Sequence, residues 1–281
     1  MLKQRVITAL LLLVVLLPTL FYREAWPFTL LALVFIAAAA WEWARANGCG
    51  QVMAVVVGLV CCLGCSVLWW AGCLQQTMPR LWLMVGSFWV LGGAWVLKAG
   101  VTAWNDHARW IRLVMGVLAL SMTWLAIGQA KVIGVNFLLS VLALVWVADI
   151  AAYFSGRAWG GRFSQSKLAA SISPGKSWEG VWGGMAGVLL LAWAWRYADR
   201  VTESTVPSLY THVGNKSLLL LLITCLFMSA MSVMGDLIES LVKRSAGIKD
   251  SSGLLPGHGG VLDRVDALLP TLPLAMMLYS L

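Results

Sequence analysis

The sequence predicts an all-α fold, a polytopic integral membrane protein with about nine transmembrane helices and two functional cytoplasmic loops. Three observations carry this expectation. Hydrophobic residues make up 60% of the 281 positions and charged residues only 11%, whereas a soluble domain carries about 25% charged residues. Mean hydropathy is +0.84. The apolar residues also fall in long, nearly uncharged windows. In a bilayer each segment must satisfy its own backbone polar groups, so such windows become spanning helices of roughly 20 residues.

The windows run 6–22, 26–44, 51–74, 81–97, 111–130, 135–155, 180–196, 217–238 and 263–280. The first follows Lys3 and Arg5 and continues through Pro18 to Tyr22 without a small-residue cleavage pattern, so it reads as a retained helix and not a signal peptide. Trp26, Trp41, Trp43, Trp69, Trp70, Trp82, Trp193 and Trp195 lie near window ends, where an interfacial aromatic belt explains them. The sixth window contains Asp149. The seventh is preceded by SISPGKSWEG, the eighth ends at Asp236, and the ninth opens on Asp263 and Asp266.

Sorting Lys and Arg between alternating loops, with the N-terminus inside, puts 14 of the 20 on one side, among them Arg45, Lys98, Arg109, Arg112, Arg157, Arg162 and Lys249. The other side receives Arg23, Arg80, Lys131, Arg196, Arg200 and Lys216. Cytoplasmic loops keep positive charge, so the N-terminus is expected in the cytoplasm and Leu281 outside. No repeat or low-complexity linker divides the chain. It reads as a single membrane domain, 1–281, with N-terminal membrane helices in 1–134 and the candidate site in 135–281, around cytoplasmic loops 156–179 and 239–262.

The net charge of +8 fits loops facing anionic lipid, and without an aromatic-basic recognition module no nucleic-acid partner is expected. Of six cysteines, five cluster in or beside one apolar window with no histidine nearby, which reads as packing and not as a metal or disulfide framework.

Asp236, Glu239, Asp250, Asp263 and Asp266 fall within about thirty residues, interleaved with Lys243, Arg244, Lys249 and Arg264. A carboxylate at a membrane helix centre costs about 2.5–3.5 kcal/mol, so Asp149, Asp236 and Asp266 should have a partner or an ion. Asp149 should lie about 9 Å inward from a helix end at Ser155. Helical spacing puts Asp236, Glu239, Ser240 and Lys243 on one face, and Asp263 with Asp266 on another. Carboxylate oxygens with retained water suit Mg²⁺, particularly when phosphates complete its shell. Between these helices lie Pro256, Gly257, His258, Gly259 and Gly260, a plausible phosphate-binding loop because glycine lets backbone N–H groups approach an anion. In the other loop, Ser173 is expected as an N-cap with Pro174 in the first helical turn and Lys176 beside the helix N-terminus. A P-loop is rejected, since Ala170 stands where its first glycine would be and Pro174 lacks an N–H.

The segment SLVKRSAGIKDSSGLLPGHGGVLDRVD, from Ser240 to Asp266, resembles the signature of the phosphatidate cytidylyltransferase (CDP-diacylglycerol synthase) family. Upstream, Asp149, Ala152, Tyr153, Gly156, Arg157, Lys167 and SPGKSWEG resemble it too. The chain departs from the pattern at Ile150 and Ala151, and Gly160 to Ser166 reads as an insertion of about four residues. The resemblance implies Mg²⁺-dependent reaction of CTP with phosphatidic acid at the cytoplasmic face of a bacterial inner membrane. It assigns Asp236 and Asp263 as metal ligands, with Asp266 as a third or supporting one. Lys249 and His258 join the catalytic set. Asp149, Lys167, Lys176, Ser240, Lys243, Arg244, Gly257, Gly259, Gly260 and Arg264 bind substrate. The lipid bilayer is the other partner, and a homodimer is left open. An ion-coupled transporter using Asp149, Asp236 and Asp266 is the alternative, but transporters tend to show related halves and a mid-membrane site. The aspartate-rich motif of a CDP-alcohol phosphotransferase is absent.

Overall fold

A computed structural model describes residues 2–164 and 167–281, with side chains from Gln4 onward. Gln165 and Ser166, the end of the expected insertion, lie outside the described residues, as does the Lys3 side chain. The elements are α1 (Leu2–Phe21), α2 (Trp26–Ala46), α3 (Gln51–Trp70), α4 (Pro79–Asp106), α5 (Arg109–Ile133), α6 (Val135–Trp159), α7 (Trp178–Val201), α8 (Leu209–Lys216), α9 (Leu218–Ser245), α10 (Leu262–Val265) and α11 (Leu268–Ser280). No strand occurs among the described residues. The all-α membrane fold holds, whereas the count of nine spans is not confirmed: among the described residues seven helices, α1 to α6 and α9, are long and apolar enough to cross a membrane. The α7 helix carries Glu179, Arg196, Asp199 and Arg200. The α11 helix has 13 residues, about 20 Å at 1.5 Å per residue, against a hydrocarbon core of about 30 Å. Most of α11 is buried, so it is a core helix of the bundle.

Several boundaries move with consequence. The α9 helix continues to Ser245, so Asp236, Glu239 and Lys243 are helical and the second loop begins after α9 rather than at 239. The α6 helix reaches Trp159, which sets Asp149 about 15 Å from its end instead of 9 Å. Ser177, and not Ser173, caps α7: its backbone is extended and its hydroxyl accepts the Gly180 N–H at 3.2 Å.

Missing side chains bring the site helices together. On α7, Gly180 and Gly184 face the backbone oxygens of Ala152 and Ala148, while Gly183 and Gly187 face Ser155 and Ala151. A Cβ at Gly187 would come within 2.7 Å of Ala151 Cβ. This is the small-residue packing that lets membrane helices touch backbone to backbone. Gly235 does the same for α9: a Cβ there would collide with the Asp266 carbonyl oxygen and lie 2.9 Å from Pro270 Cδ. Asp236 and Asp266 are thus brought close by the residue beside Asp236.

The α1 helix is mostly exposed along its length but held at both ends. Lys131, buried on α5, donates to the Leu20 and Tyr22 carbonyls at 2.7 and 3.0 Å, satisfying the last carbonyls of α1. At the other end the Thr8 hydroxyl donates to the Pro256 carbonyl at 2.9 Å. All six cysteines are free, with Cys61, Cys65 and Cys225 buried, as expected for packing residues.

Candidate active site

A cleft of about 590 Å³ opens between α6, the start of α7 and α9, lined among others by Asp149, Tyr153, Arg157, Lys176 and Asp236. Lys176 precedes the α7 cap, and its Nζ lies 2.5 Å from Asp236 Oδ2. The Ser240 hydroxyl donates to Asp236 Oδ1 at 3.3 Å, one helical turn on. Asp149 and Asp266 lie within electrostatic reach of both Asp236 and Lys176. Asp266 also accepts the Ala267 N–H at 2.7 Å, at the start of α11. Burial first, and then the charge of Asp236, push the Asp266 carboxyl well above the ordinary carboxylate range.

A second polar set adjoins the first. Lys243 Nζ is 2.6 Å from Glu239 Oε2 and 2.6 Å from Asp263 Oδ1. Asp263 Oδ2 accepts the Ser251 N–H at 3.0 Å, the Ser251 hydroxyl at 3.0 Å and the Gly260 N–H at 2.8 Å. Burial works against the Asp263 carboxylate, but Lys243 and these donors prevail and hold the group at about 2. Glu239 is buried and within electrostatic reach of Asp266. The two sets therefore form one file from Lys176 through Asp236, Asp266, Glu239 and Lys243 to Asp263. Asp263 and Asp266, expected on one face, serve different sets.

The glycine-rich segment is folded on the protein's own groups. Gly257 and Gly259 have φ of 78° and 85°, in the left-handed region. A Cβ at Gly257 would lie 2.9 Å from Arg5 Cγ, and one at Gly259 2.8 Å from Asp263 Oδ2. Arg264 donates to the His258 carbonyl from Nε at 3.0 Å and Nη2 at 2.5 Å, fixing the loop's return. His258 is partly buried, with Nδ1 unpartnered among the described residues. Lys167 and Lys249 are exposed. Arg244 is exposed as well and reaches the Ile172 carbonyl at 3.4 Å, linking the last turn of α9 to the loop before α7.

Three residues that sequence reasoning gave no role are built into this region. Glu179 Oε1 accepts the Phe163 and Ser164 N–H groups at 3.0 and 2.8 Å and pins the start of the loop after α6. Glu42 of α2 is fully buried and binds the loop between α9 and α10. Arg157 donates to Tyr153 Oη at 3.1 Å at the cleft rim.

Three carboxylates, Asp149, Asp236 and Asp266, lie within electrostatic reach of Lys176, which pairs directly with Asp236 alone. Among the described residues no three His, Cys, Asp or Glu side chains form a ready-made metal cage. Hard oxygen donors in that number suit an ion that binds through one or two carboxylates, water and a substrate phosphate.

A sequence model of the Cytidylyltransferase family matches residues 3–281. The chain is 40% identical to a phosphatidate cytidylyltransferase of Pseudomonas aeruginosa over 283 residues, covering 100% of this chain and 98% of that one. It is 35% identical to the phosphatidate cytidylyltransferase of Haemophilus influenzae, covering 99% of each. With the phosphatidate cytidylyltransferase of Bacillus subtilis it shares 38% identity over 148 residues, 53% of this chain and 49% of the relative.

Proposed function

The chain belongs to the cytidylyltransferase family, and from that premise we propose that it transfers the cytidylyl group of CTP to phosphatidic acid, giving CDP-diacylglycerol and pyrophosphate for phospholipid biosynthesis. It is a nucleotidyltransferase built from membrane helices. The observation that carries the site assignment is the Lys176 to Asp236 pair at the mouth of a cleft that also holds Asp149. The ion-coupled transporter is set aside, because the relatives over the full chain are cytidylyltransferases.

In this reading a phosphatidate oxygen attacks the α-phosphorus of CTP. The new O–P bond forms as the bond to pyrophosphate breaks. The attacking oxygen is already anionic near neutral pH, so the barrier lies in bringing anions together and stabilising the leaving group. Lys176 and Lys243 supply positive charge along the carboxylate file. Arg244, Lys249 and Arg264 line its cytoplasmic approach, and the Gly257 to Gly260 loop meets the triphosphate. His258 donates to a phosphate oxygen, and Lys167 and Ser240 complete the substrate contacts.

Metal dependence is general in this family; we take the ion to be Mg²⁺, which Asp236 and Asp266 would hold, with Asp149 beside them and Asp263 as a further carboxylate ligand. When bound, Mg²⁺ would neutralise phosphate charge and stabilise the departing pyrophosphate. The charge division between loops supports a cytoplasmic N-terminus and a site on the cytoplasmic face of a bacterial inner membrane.

The test uses purified protein with phosphatidic acid, Mg²⁺ and each of the four nucleoside triphosphates in turn, reading pyrophosphate release. Release with CTP, dependent on the lipid, is the expected result; equal release with all four would sink cytidylyl specificity.

A further inference from the structure

Glu42 is the most completely buried acid among the described residues, with no exposed surface. It sits on α2, in the N-terminal half of the chain, between Trp41 and Trp43. A carboxylate in such a place needs donors. It has four, and all come from the segment that leads out of α9 and into α10. Oε1 accepts the Val261 N–H at 2.9 Å and the Ser252 hydroxyl; Oε2 accepts the Leu262 N–H at 2.6 Å and, at 3.2 Å, shares the one Ser251 hydroxyl proton with Asp263 Oδ2.

The arrangement of these donors is informative. Ser251 and Ser252 precede the Pro256 to Gly259 tip, and Val261 and Leu262 follow it. Glu42 therefore ties both arms of the loop to one side chain on another helix. The Ser251 hydroxyl also reaches Asp263 Oδ2, so the same clasp touches the carboxylate that Lys243 joins to α9. Gly260 is the fit between them: a Cβ there would collide with Ser251 Oγ and lie 2.5 Å from Glu42 Oε1. The glycine that a sequence reading gives to an approaching phosphate is required by an internal carboxylate.

We infer that Glu42 is a positioning residue for nucleotide binding, setting the Pro256 to Gly260 tip and Asp263 in register with the carboxylates of α9. Glu42 touches no substrate in this assignment and acts through the loop. The inference rests on the cytidylyl reading only in naming the nucleotide as the substrate affected.

Glu42→Gln is the diagnostic substitution, because it keeps the volume and turns one of two acceptors into an NH₂ that faces donors. Losing one or two charge-assisted bonds should raise the KM for CTP about tenfold or more, while the KM for phosphatidic acid stays within about twofold. Ser252→Ala, which removes one donor and leaves the carboxylate, should move the same parameter in the same direction by less. Hydrogen exchange should show residues 251–262 losing protection in Glu42→Gln while α6 and α9 keep theirs.

A purely structural Glu42 would instead lower the active fraction and the melting temperature with both KM values unchanged, and that result would overturn the inference, as would wild-type kinetics in Glu42→Gln. If Glu42→Gln does not fold, Ser252→Ala alone decides between the same two patterns. A wild-type protein that releases no pyrophosphate from CTP would refute the cytidylyl reading and leave the exchange measurement to judge the clasp.

Discussion

Lys176 and Asp236 meet at 2.5 Å across the cleft, joining the residue before the α7 cap to the interior of α9. Both side chains are partly exposed, at 25% and 30%. An ion pair so open to solvent contributes little to stability, so its value lies in poising a cation and a carboxylate at one point of the cleft.

Lys176→Ala and Asp236→Asn should each reduce turnover by about 100-fold or more, the scale of losing one electrostatic stabiliser of the transition state, with little change in the amount of folded protein. The double variant should be scarcely worse than either single, since groups acting as a unit are non-additive. Steady-state kinetics across a Mg²⁺ titration is the measurement, and strictly additive losses would separate the two residues. Lys176→Arg should rescue in part, keeping charge but not shape.

Asp263→Asn should behave differently, because Asp263 also organises structure. It leaves Lys243 and Glu239 with one partner fewer and loosens Ser251 and Gly260, so thermal stability in detergent should fall along with activity, by about 1–3 kcal/mol.

The same carboxyl predicts a pH signature. Its folded-state value of about 2 lies below the ordinary 3.8. A depressed carboxylate contributes stability that is fully present above its unfolded value and is lost as pH falls through the folded one. The stability gap between wild type and Asp263→Asn should therefore be constant above pH 3.8 and close toward pH 2. Melting curves at stepped pH would show it, and a gap that persists unchanged at pH 2 would contradict the assignment.

Gly187→Val should push α7 away from Ala151. Overpacking of this kind costs about 1–3 kcal/mol, and because the α6 to α7 contact also sets Asp149 against Lys176, activity should fall further than stability alone explains. Comparison of specific activity per folded molecule with the melting temperature separates the two effects.

Single-cysteine labelling should place the loops around Lys176 and Lys249 on the cytoplasmic side and Leu281 on the other. Finding the two loops on opposite sides would break the shared site.

The bilayer class and most helices were legible because they depend on composition and hydropathy, which are local. The charged residues of the site were legible for a related reason: Asp149 and Asp236 stand out within apolar windows, where charge is expensive. What sequence reasoning missed depends on tertiary approach. Glu42 lies among tryptophans at a helix end and looks interfacial until the loop before α10 folds onto it. The cap of α7 falls at Ser177 and not at the expected Ser173, because the backbone is extended at Ser177 and its hydroxyl meets the Gly180 N–H. The glycines of α7, at 180, 183, 184 and 187, carried a spacing signal for close helix packing that a search for charges passes over. The ninth window is not confirmed as a span, because the apolar content of α11 reflects enclosure by protein.

The two tethers of α1 give the molecule a mechanical property. The helix is a beam anchored by Lys131 at one end and by Thr8 on Pro256 at the other, with its apolar flank exposed. A bilayer of different thickness changes the tilt of such a helix, and a beam that pivots at Lys131 moves at its far end. That end is seated on the tip of the glycine loop, so the tilt of α1 and the position of Pro256 are coupled through the Thr8 hydrogen bond.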